Sequence, residues 1–348
     1  MSIYKVTPRQ AKEYMIECMQ AGLVPYLQGS PGIGKSSITN SIADECMLEM
    51  VDHRMITSPP EDLSGLPYFE DRPYGKVAAF APFADLFPIE GMPIPPGKNG
   101  WFVFLDEFPS AKKDTQAACY KLILDRMTGQ KRLHENVAIA LAGNLMTDRA
   151  LVNPLSTAMQ SRIIHLELQV SYHDWLRDVA LKFNYDPRII AFISQYEEDL
   201  MTFRPDHKDK TFASPRTWEF MNRLIQGKDK IVEESTALYA GTIGEDIAVK
   251  FVQFTKVWQD VITIDEILKD PLSCRLPLTT DLMWATVSHM TSKITPKNFN
   301  ALAAYSERFT MDMKVLFFRS ALARWPALRH EPGFATAAVH LSKYLFED

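Results

Sequence analysis

Apolar runs and helical stripes alternate through the first half of the chain. Thr7-Pro8 supplies a capping hydroxyl followed by proline at the first helical position. Ala11, Tyr14, Met15, Cys18 and Met19 then recur at helical spacing. Tyr26-Leu27-Gln28 forms a short strand candidate that stops at Gly29. Ile38, Ile42, Cys46, Met47 and Met50 mark a second helix, and Val51 to Ile56 reads as a strand. The run Trp101 to Leu105 is apolar without interruption, as in a strand buried on both faces. A helix follows over about 111–127, then buried strands over 137–142 and 163–168. Five strands alternating with helices predict an α/β fold with a mostly parallel sheet covered on both sides.

One stretch breaks this rhythm. Nine of the 22 prolines lie between Pro59 and Pro96, together with Gly65, Gly75, Gly91 and Gly97. Such a segment forms neither a long helix nor a central strand. It still carries Leu63, Tyr68, Phe69, Phe80, Phe83 and Phe87, too apolar for a plain linker. An ordered excursion of short elements is expected. After about residue 170 the buried strands stop. Asp186-Pro187, Ser214-Pro215 and Thr295-Pro296 each repeat the cap-then-proline helix start, so the second half is expected to be helical.

Composition narrows the classes. At 348 residues the chain should hold two or three packed units. A hydrophobic fraction of 46% and a charged fraction of 23% argue against wholesale disorder. The net charge of −5 provides no overall basic field for a nucleic-acid backbone. No apolar run approaches the ~20 residues of a membrane span. Cys18, Cys46, Cys119 and Cys274 are widely spaced with no C-x-x-C pair, which suits reduced thiols and a cytoplasmic location. The histidines show no zinc spacing.

Candidate chemistry begins at Gly29-Ser30-Pro31-Gly32-Ile33-Gly34-Lys35-Ser36, which fits G-x-x-x-x-G-K-[ST] between a strand and a helix. Glycines let such a backbone wrap closely and aim N–H groups at phosphate oxygens. Lys35 is placed to neutralise the β and γ phosphates of ATP, and Ser36 to ligate Mg²⁺; Ser37 follows in the same helix start. The strand 102–105 ends in Asp106 and Glu107, at the sheet edge where ligands bind in such folds. Asp106 suits the Mg²⁺ shell, and Glu107 suits orienting a water for attack on the γ-phosphate. The alternative is a strand-to-helix junction that Asp106 merely caps.

Three further residues have two readings each. Asn144 closes the strand Ala140-Leu141-Ala142 and either contacts the attacking water or γ-phosphate, or occupies a turn; spacing alone favours the turn. Arg162 is either surface or an arginine that reaches a neighbouring subunit's nucleotide. Arg216 stands in the first turn of a helix, where a cation opposes the helix dipole, so an anionic partner is expected; Glu219 is the local candidate. Arg126, Arg132 and Arg149 lie near the expected site edge without a distinguishing signal.

Taken together, G-S-P-G-I-G-K-S, F-L-D-E-F-P-S-A, A-G-N, Q-S-R and S-P-R-T-W-E resemble, in that order, the motifs of the AAA+ ATPases. The chain is more closely similar to the MoxR-like group, which includes the gas-vesicle and Rubisco-activase-like remodelers. The resemblance implies Walker A at Gly29–Ser36 and Walker B at Asp106-Glu107. It further implies sensor 1 at Asn144, a trans-acting arginine finger at Arg162 and a cis-acting sensor 2 at Arg216. Asp62-Leu63-Ser64-Gly65-Leu66-Pro67 resembles this group's D-L-x-G-x motif, which identifies the proline-rich excursion as its helix-2 insert. In relatives that insert faces the pore or rim of a ring. Leu124 to Leu133 resembles the stretch before sensor 1, with His134 in place of a proline. Residues 160–168 and 212–219 look like stand-alone bacteriophage and prophage members.

The resemblance covers about residues 7–225. It implies an AAA+ core with a five-stranded parallel sheet over 1–170, its insert at about 57–100, a helical lid over 171–245 and a helical C-terminal extension over 246–348. It also implies a six-membered homo-oligomeric ring that hydrolyses ATP with Mg²⁺ and remodels a protein client, often a von Willebrand A domain protein. A DNA motor or loader is the alternative, and the acidic charge weighs against it. A metabolite kinase is disfavoured by Glu107 and Asn144.

Overall fold

The computed structural model describes residues 5–83, 85–148, 153–335, 337 and 341. The chain divides into two compact units, residues 1–170 with 204–206, and residues 171–203 with 207–348.

In the first unit the order is β1 (Lys5–Val6), α1 (Pro8–Gln20), β2 (Pro25–Gln28), α2 (Lys35–Glu45), β3 (Leu48–Arg54) and α3 (Pro60–Ser64). Next come β4 (Leu66–Arg72), β5 (Gly75–Ala81), β6 (Gly100–Asp106) and α4 (Lys113–Leu124). The unit ends with β7 (Met127–Thr128), β8 (Lys131–Arg132), β9 (Val137–Gly143), α5 (Thr157–Gln160) and β10 (Ile164–Leu168). Six strands form one parallel sheet in the order β1-β10-β2-β9-β6-β3. The five expected strands are present, and the two-residue β1 adds a sixth at one edge. The α/β core followed by a helical part is as the residue pattern indicated.

Period-two alternation explains why the strands read as unbroken apolar runs. In β6, Trp101, Val103 and Leu105 join Tyr26, Ile139, Leu141 and α4 residues on one face. Phe102 and Phe104 join Leu27, Ala140, Ala142 and residues of α1 and α2 on the other. Both phenylalanines are essentially fully buried, each stabilising the fold by roughly 2–3 kcal/mol on transfer grounds. The first helix starts as its sequence indicates: Thr7 and Gln10 form a reciprocal capping box ahead of Pro8.

Two boundaries differ from expectation. The second helix ends at Glu45 rather than running to Met50, and β3 begins at Leu48. Met47 takes φ 53°, a left-handed turn that reverses the chain without a glycine to announce it. Thr295-Pro296 opens a turn rather than a helix: Asn298 N–H donates to Thr295 O at 3.2 Å, and the helix starts at Phe299.

The proline-rich excursion is ordered. It consists of α3, the antiparallel β4–β5 hairpin and connections that bury Leu63 and Phe87. Its root is fixed by close backbone contact. Thr128 Oγ1 and Gly129 N–H both donate to Leu63 O, at 3.0 and 3.2 Å. Gly65, at φ 83°, leaves no room for a Cβ, which would fall 2.3 Å from Ala81 O.

In the second unit, helices α6 (Tyr172–Trp175), α7 (Pro187–Gln195), α8 (Pro215–Ile225), α9 (Thr236–Ile243) and α10 (Glu245–Lys256) are followed by α11 (Ile264–Lys269). Then come α12 (Thr280–Ser292), α13 (Phe299–Ser306) and α14 (Met311–Arg324). No strand occurs there among the described residues. Phe192 of α7 is the hub, with Trp218, Phe251 and Phe254 rings at 5.6, 5.3 and 5.5 Å. Ser288 of α12 donates to Pro187 O at 2.7 Å, which ties the later helices to α7. A buried Asp186–Arg188 pair at 2.6 Å closes the start of α7, and Arg188 also donates to Lys228 O. No helix of the chain is long and apolar enough to cross a membrane among the described residues.

Candidate functional site

The sheet order places β2 between β9 and β10, so the chain leaving β2 emerges at a switch point of the topology. Residues 29–34 turn there into α2. Gly32 and Gly34 have φ 77° and 102°, conformations that L side chains rarely adopt. Gly29 is pinned to the neighbouring strand end, its N–H donating to Gly143 O at 3.1 Å. Ser30 and Pro31 are half-buried, whereas Gly32 and Ile33 are buried. Gly34 caps α2 with no side-chain hydrogen bond. Among the described residues no turn, cap or side chain engages the N–H groups of Gly32, Ile33, Gly34 or Ser36. These donors and the positive end of the α2 dipole form a ready seat for an anion.

Lys35 is half-buried and folds back over its own loop. Its Nζ donates to Gly29 O at 2.6 Å, to Ser30 O at 3.1 Å and to Asn144 Oδ1 at 3.0 Å. Ser36 Oγ donates to Asp106 Oδ2 at 3.4 Å, a long contact, and Ser37 is exposed on the outer side of α2. Asp106 Oδ1 accepts the Glu107 N–H at 2.8 Å. The structure therefore brings Lys35, Ser36, Asp106, Glu107 and Asn144 together at the ends of β2, β6 and β9.

Glu107 has φ 54°, a left-handed conformation uncommon for a residue with a long side chain. Such strain costs on the order of 1–3 kcal/mol and persists only when the surroundings fix it. Here Ser110 N–H donates to Glu107 O at 2.9 Å, and the buried Phe108 and Pro109 anchor the turn. Pro109 packs directly on Gly143, where a Cβ would fall 2.3 Å from Pro109 Cδ and 2.4 Å from Cγ. Gly143→Ala is expected to lower unfolding free energy in urea by ~1–3 kcal/mol through overpacking. An unchanged denaturation midpoint would show instead that the Pro109 ring can yield.

Arg162 lies apart from this cluster. Arg162 is exposed and precedes β10; its Nη1 donates to Ala158 O at 2.7 Å. The start of β10 pairs with the start of β2, Ile164 beside Pro25, while the phosphate-type loop follows the opposite end of β2. The length of β10, ~13 Å at the rise of a parallel strand, separates the two. Arg216 is exposed in the first turn of α8 in the second unit. Glu219, the partner of the alternative reading, pairs with Arg223 one turn on. Arg126 is bonded to Val137 O and half-buried, Arg132 is exposed, and Arg149 lies outside the described residues.

Sequence reasoning passed over Asp52. Burial, then the nearby Asp106 charge, push its carboxyl up, against the opposing pull of Arg54 and His53. A carboxylate in mid-strand was the available signal. His53, held in the same region, is pushed down by burial although Asp62 and Asp52 oppose this, and its Nε2 lies 2.6 Å from Ser58 Oγ.

No family model and no curated protein matches the chain. Among solved structures it is similar to a protein of Cytophaga hutchinsonii provisionally described as an ATPase. That pair is 13% identical, with 96% of this chain and 89% of the other covered and a TM-score of 0.35. It is also similar to a point variant of RuvB from Thermotoga maritima, at 16% identity, with 84% and 86% covered and a TM-score of 0.36.

Proposed function

We propose that the chain is an ATP-hydrolysing enzyme of the AAA+ class, and within that class a MoxR-like remodeler of the stand-alone phage type. The observation that carries the nucleotide reading is the convergence of Lys35, Ser36, Asp106, Glu107 and Asn144 on an uncapped helix start. The triphosphate of ATP takes the N–H seat of Gly32, Ile33, Gly34 and Ser36, with Lys35 against its β and γ oxygens. Ser36 and Asp106 offer a hydroxyl and a carboxylate 3.4 Å apart, hard oxygen donors of the kind Mg²⁺ prefers. When bound there, Mg²⁺ would offset phosphate charge and orient the oxygens.

This chain's own groups then have distinct tasks. Glu107, held by its strained turn, orients a water and accepts its proton as the oxygen attacks the γ-phosphorus and the bond to the β–γ bridging oxygen breaks, with ADP leaving. Asn144, whose Oδ1 meets Lys35, keeps the ammonium in register and offers its amide N–H₂ to the γ-phosphate. Arg162 sits a strand length from its own loop, which supports its use as a finger in a neighbour's site. Arg216 reads the γ-phosphate from the lid, and its release on hydrolysis turns the lid. In this reading residues 171–245 are the lid and 246–348 an extension of it. The assembly is a homo-oligomeric ring, six-membered by family resemblance, working in the cytoplasm on a protein client such as a von Willebrand A domain protein.

Arg162→Ala is expected to lower ATP turnover ~10²-fold or more while nucleotide affinity stays within about threefold. Mixing it with Lys35→Ala protein should restore part of the activity, because some junctions then hold an intact loop and an intact finger. Phosphate release across mixing ratios, with ring mixing verified by native mass spectrometry, measures this; no recovery in verified mixed rings would overturn the trans role. Turnover that rises with DNA and falls steeply with salt would point to the motor reading instead.

A further inference from the structure

We propose that the outer edge of β3 is a docking strip for an extended, lysine- or arginine-bearing segment of a partner protein, which joins the sheet as an added strand. This goes beyond the nucleotide reading and does not depend on it.

The sheet has two edges. β1 offers two residues, whereas β3 offers seven and contains no proline and no lysine. Natural edge strands are blunted by shortness, proline, charged side chains or a covering segment, and β3 has only its charges, Glu49, Asp52 and Arg54. The bonding at both ends of β3 fixes which groups face outward. Met55 N–H donates to Asp106 O at 2.9 Å, and Asn99 N–H donates to Met47 O at 2.7 Å. Odd-numbered residues therefore serve β6, and even-numbered ones turn their N–H and C=O to the open side. Lys98 Nζ takes Leu48 O at 3.1 Å, and Arg54 O accepts from Ser58 Oγ at 3.1 Å. Met50 and Asp52 lie between. No loop, cap or side chain engages their N–H or C=O among the described residues.

Those residues line a pocket of about 420 Å³. Its apolar wall is Val51, Phe87, Met92 and Trp101, and its polar margin is Glu49, Asp52 and Asp85. Among the described residues no lysine or arginine lines it. Lys98 reaches Glu49 at 3.7 Å, an exposed pair worth little, and Arg54 neighbours Asp52. Alternation puts Glu49 and Val51 on the Phe87 and Trp101 face and Met50 with Asp52 on the other. An added strand that alternates apolar and basic residues meets both faces at once. A cation beside Asp52 also relieves the repulsion that Asp106 exerts there. Main-chain bonds would supply affinity, and side-chain alternation would supply selectivity.

The test is fluorescence anisotropy with the full chain and a labelled peptide of about eight residues alternating valine and lysine. Four probes accompany it: a glutamate-for-lysine peptide, a lysine peptide N-methylated at alternate amides, and two protein variants. Met50→Pro removes one outward N–H and leaves the β6 ladder intact. Asp52→Lys reverses the charge on the face that the lysines meet. The glutamate and N-methylated peptides are expected to bind at least about tenfold more weakly, and each variant to lose about tenfold. If Met50→Pro fails to fold, the charge reversal decides. Equal binding by methylated and unmethylated peptides, or unchanged binding by the charge-reversed protein, overturns the proposal. So does self-association that the reversal abolishes in the absence of peptide binding, which would make a second copy the occupant.

Discussion

Glu107→Gln is expected to bind ATP within about threefold of the parent and to turn it over at least ~10²-fold more slowly. The substitution keeps size, hydrogen-bonding reach and the left-handed turn at φ 54°, but removes the group that accepts a proton. General-base contributions are typically 10²–10⁴-fold, so the loss should dominate any small packing change. Because binding is spared, the variant should accumulate in its ATP-bound form and stabilise the assembly. Single-turnover phosphate release beside fluorescent-nucleotide titration separates the two effects. Brisk turnover by the glutamine protein would remove Glu107 from the chemistry and leave its strained backbone unexplained.

The second large effect is Lys35→Ala. Its ammonium is half-buried and holds three oxygen partners, Gly29 O, Ser30 O and Asn144 Oδ1. In the nucleotide-bound state the same donors turn to phosphate oxygens, and a charge-assisted contact of this kind contributes roughly 2–4 kcal/mol. Nucleotide affinity should fall ~30- to 1000-fold. The fold should survive, because the two loop carbonyls lie in a part-buried turn that water can reach. A melting curve close to that of the parent, together with lost nucleotide binding, is the expected pair of results. Retained affinity would place the phosphates elsewhere. Lys35→Arg should fail nearly as badly, since a planar fork cannot occupy the space of a compact ammonium between Gly29 and Asn144.

How much was legible in the residues depended on how local the determinant was. The loop 29–36 and the pair Asp106-Glu107 are contiguous, and a buried strand announces itself by an unbroken apolar run. Asn144 is different. Its partner Lys35 lies 109 positions away, so only the adjacency of β2 and β9 could distinguish a site residue from a turn residue. The β4–β5 hairpin left little strand signal because its large apolar residues Tyr68, Phe69 and Phe80 are exposed, while the face it buries is marked only by the small Ala79 and the half-buried Val77. The start of β3 was misplaced because Met47 and Met50 continue a helical spacing across a turn made without glycine. β1 is too short to carry any period. Asp52 drew no notice because its surroundings, not its neighbours in sequence, raise its pKa.

The strand order also bears on how the protein is made. β2 finds its partners β9 and β10 only after more than a hundred further residues have been added. At 5–20 residues per second, a ribosome leaves the phosphate-type loop without its sheet neighbours for roughly 5–20 seconds. During that interval β3 and β6 can pair with each other, and their apolar outer faces wait in the open. Nascent chains of this protein should therefore draw on chaperones most heavily between the emergence of Leu105 and that of Val137, a window that ribosome profiling of chaperone-bound chains would reveal.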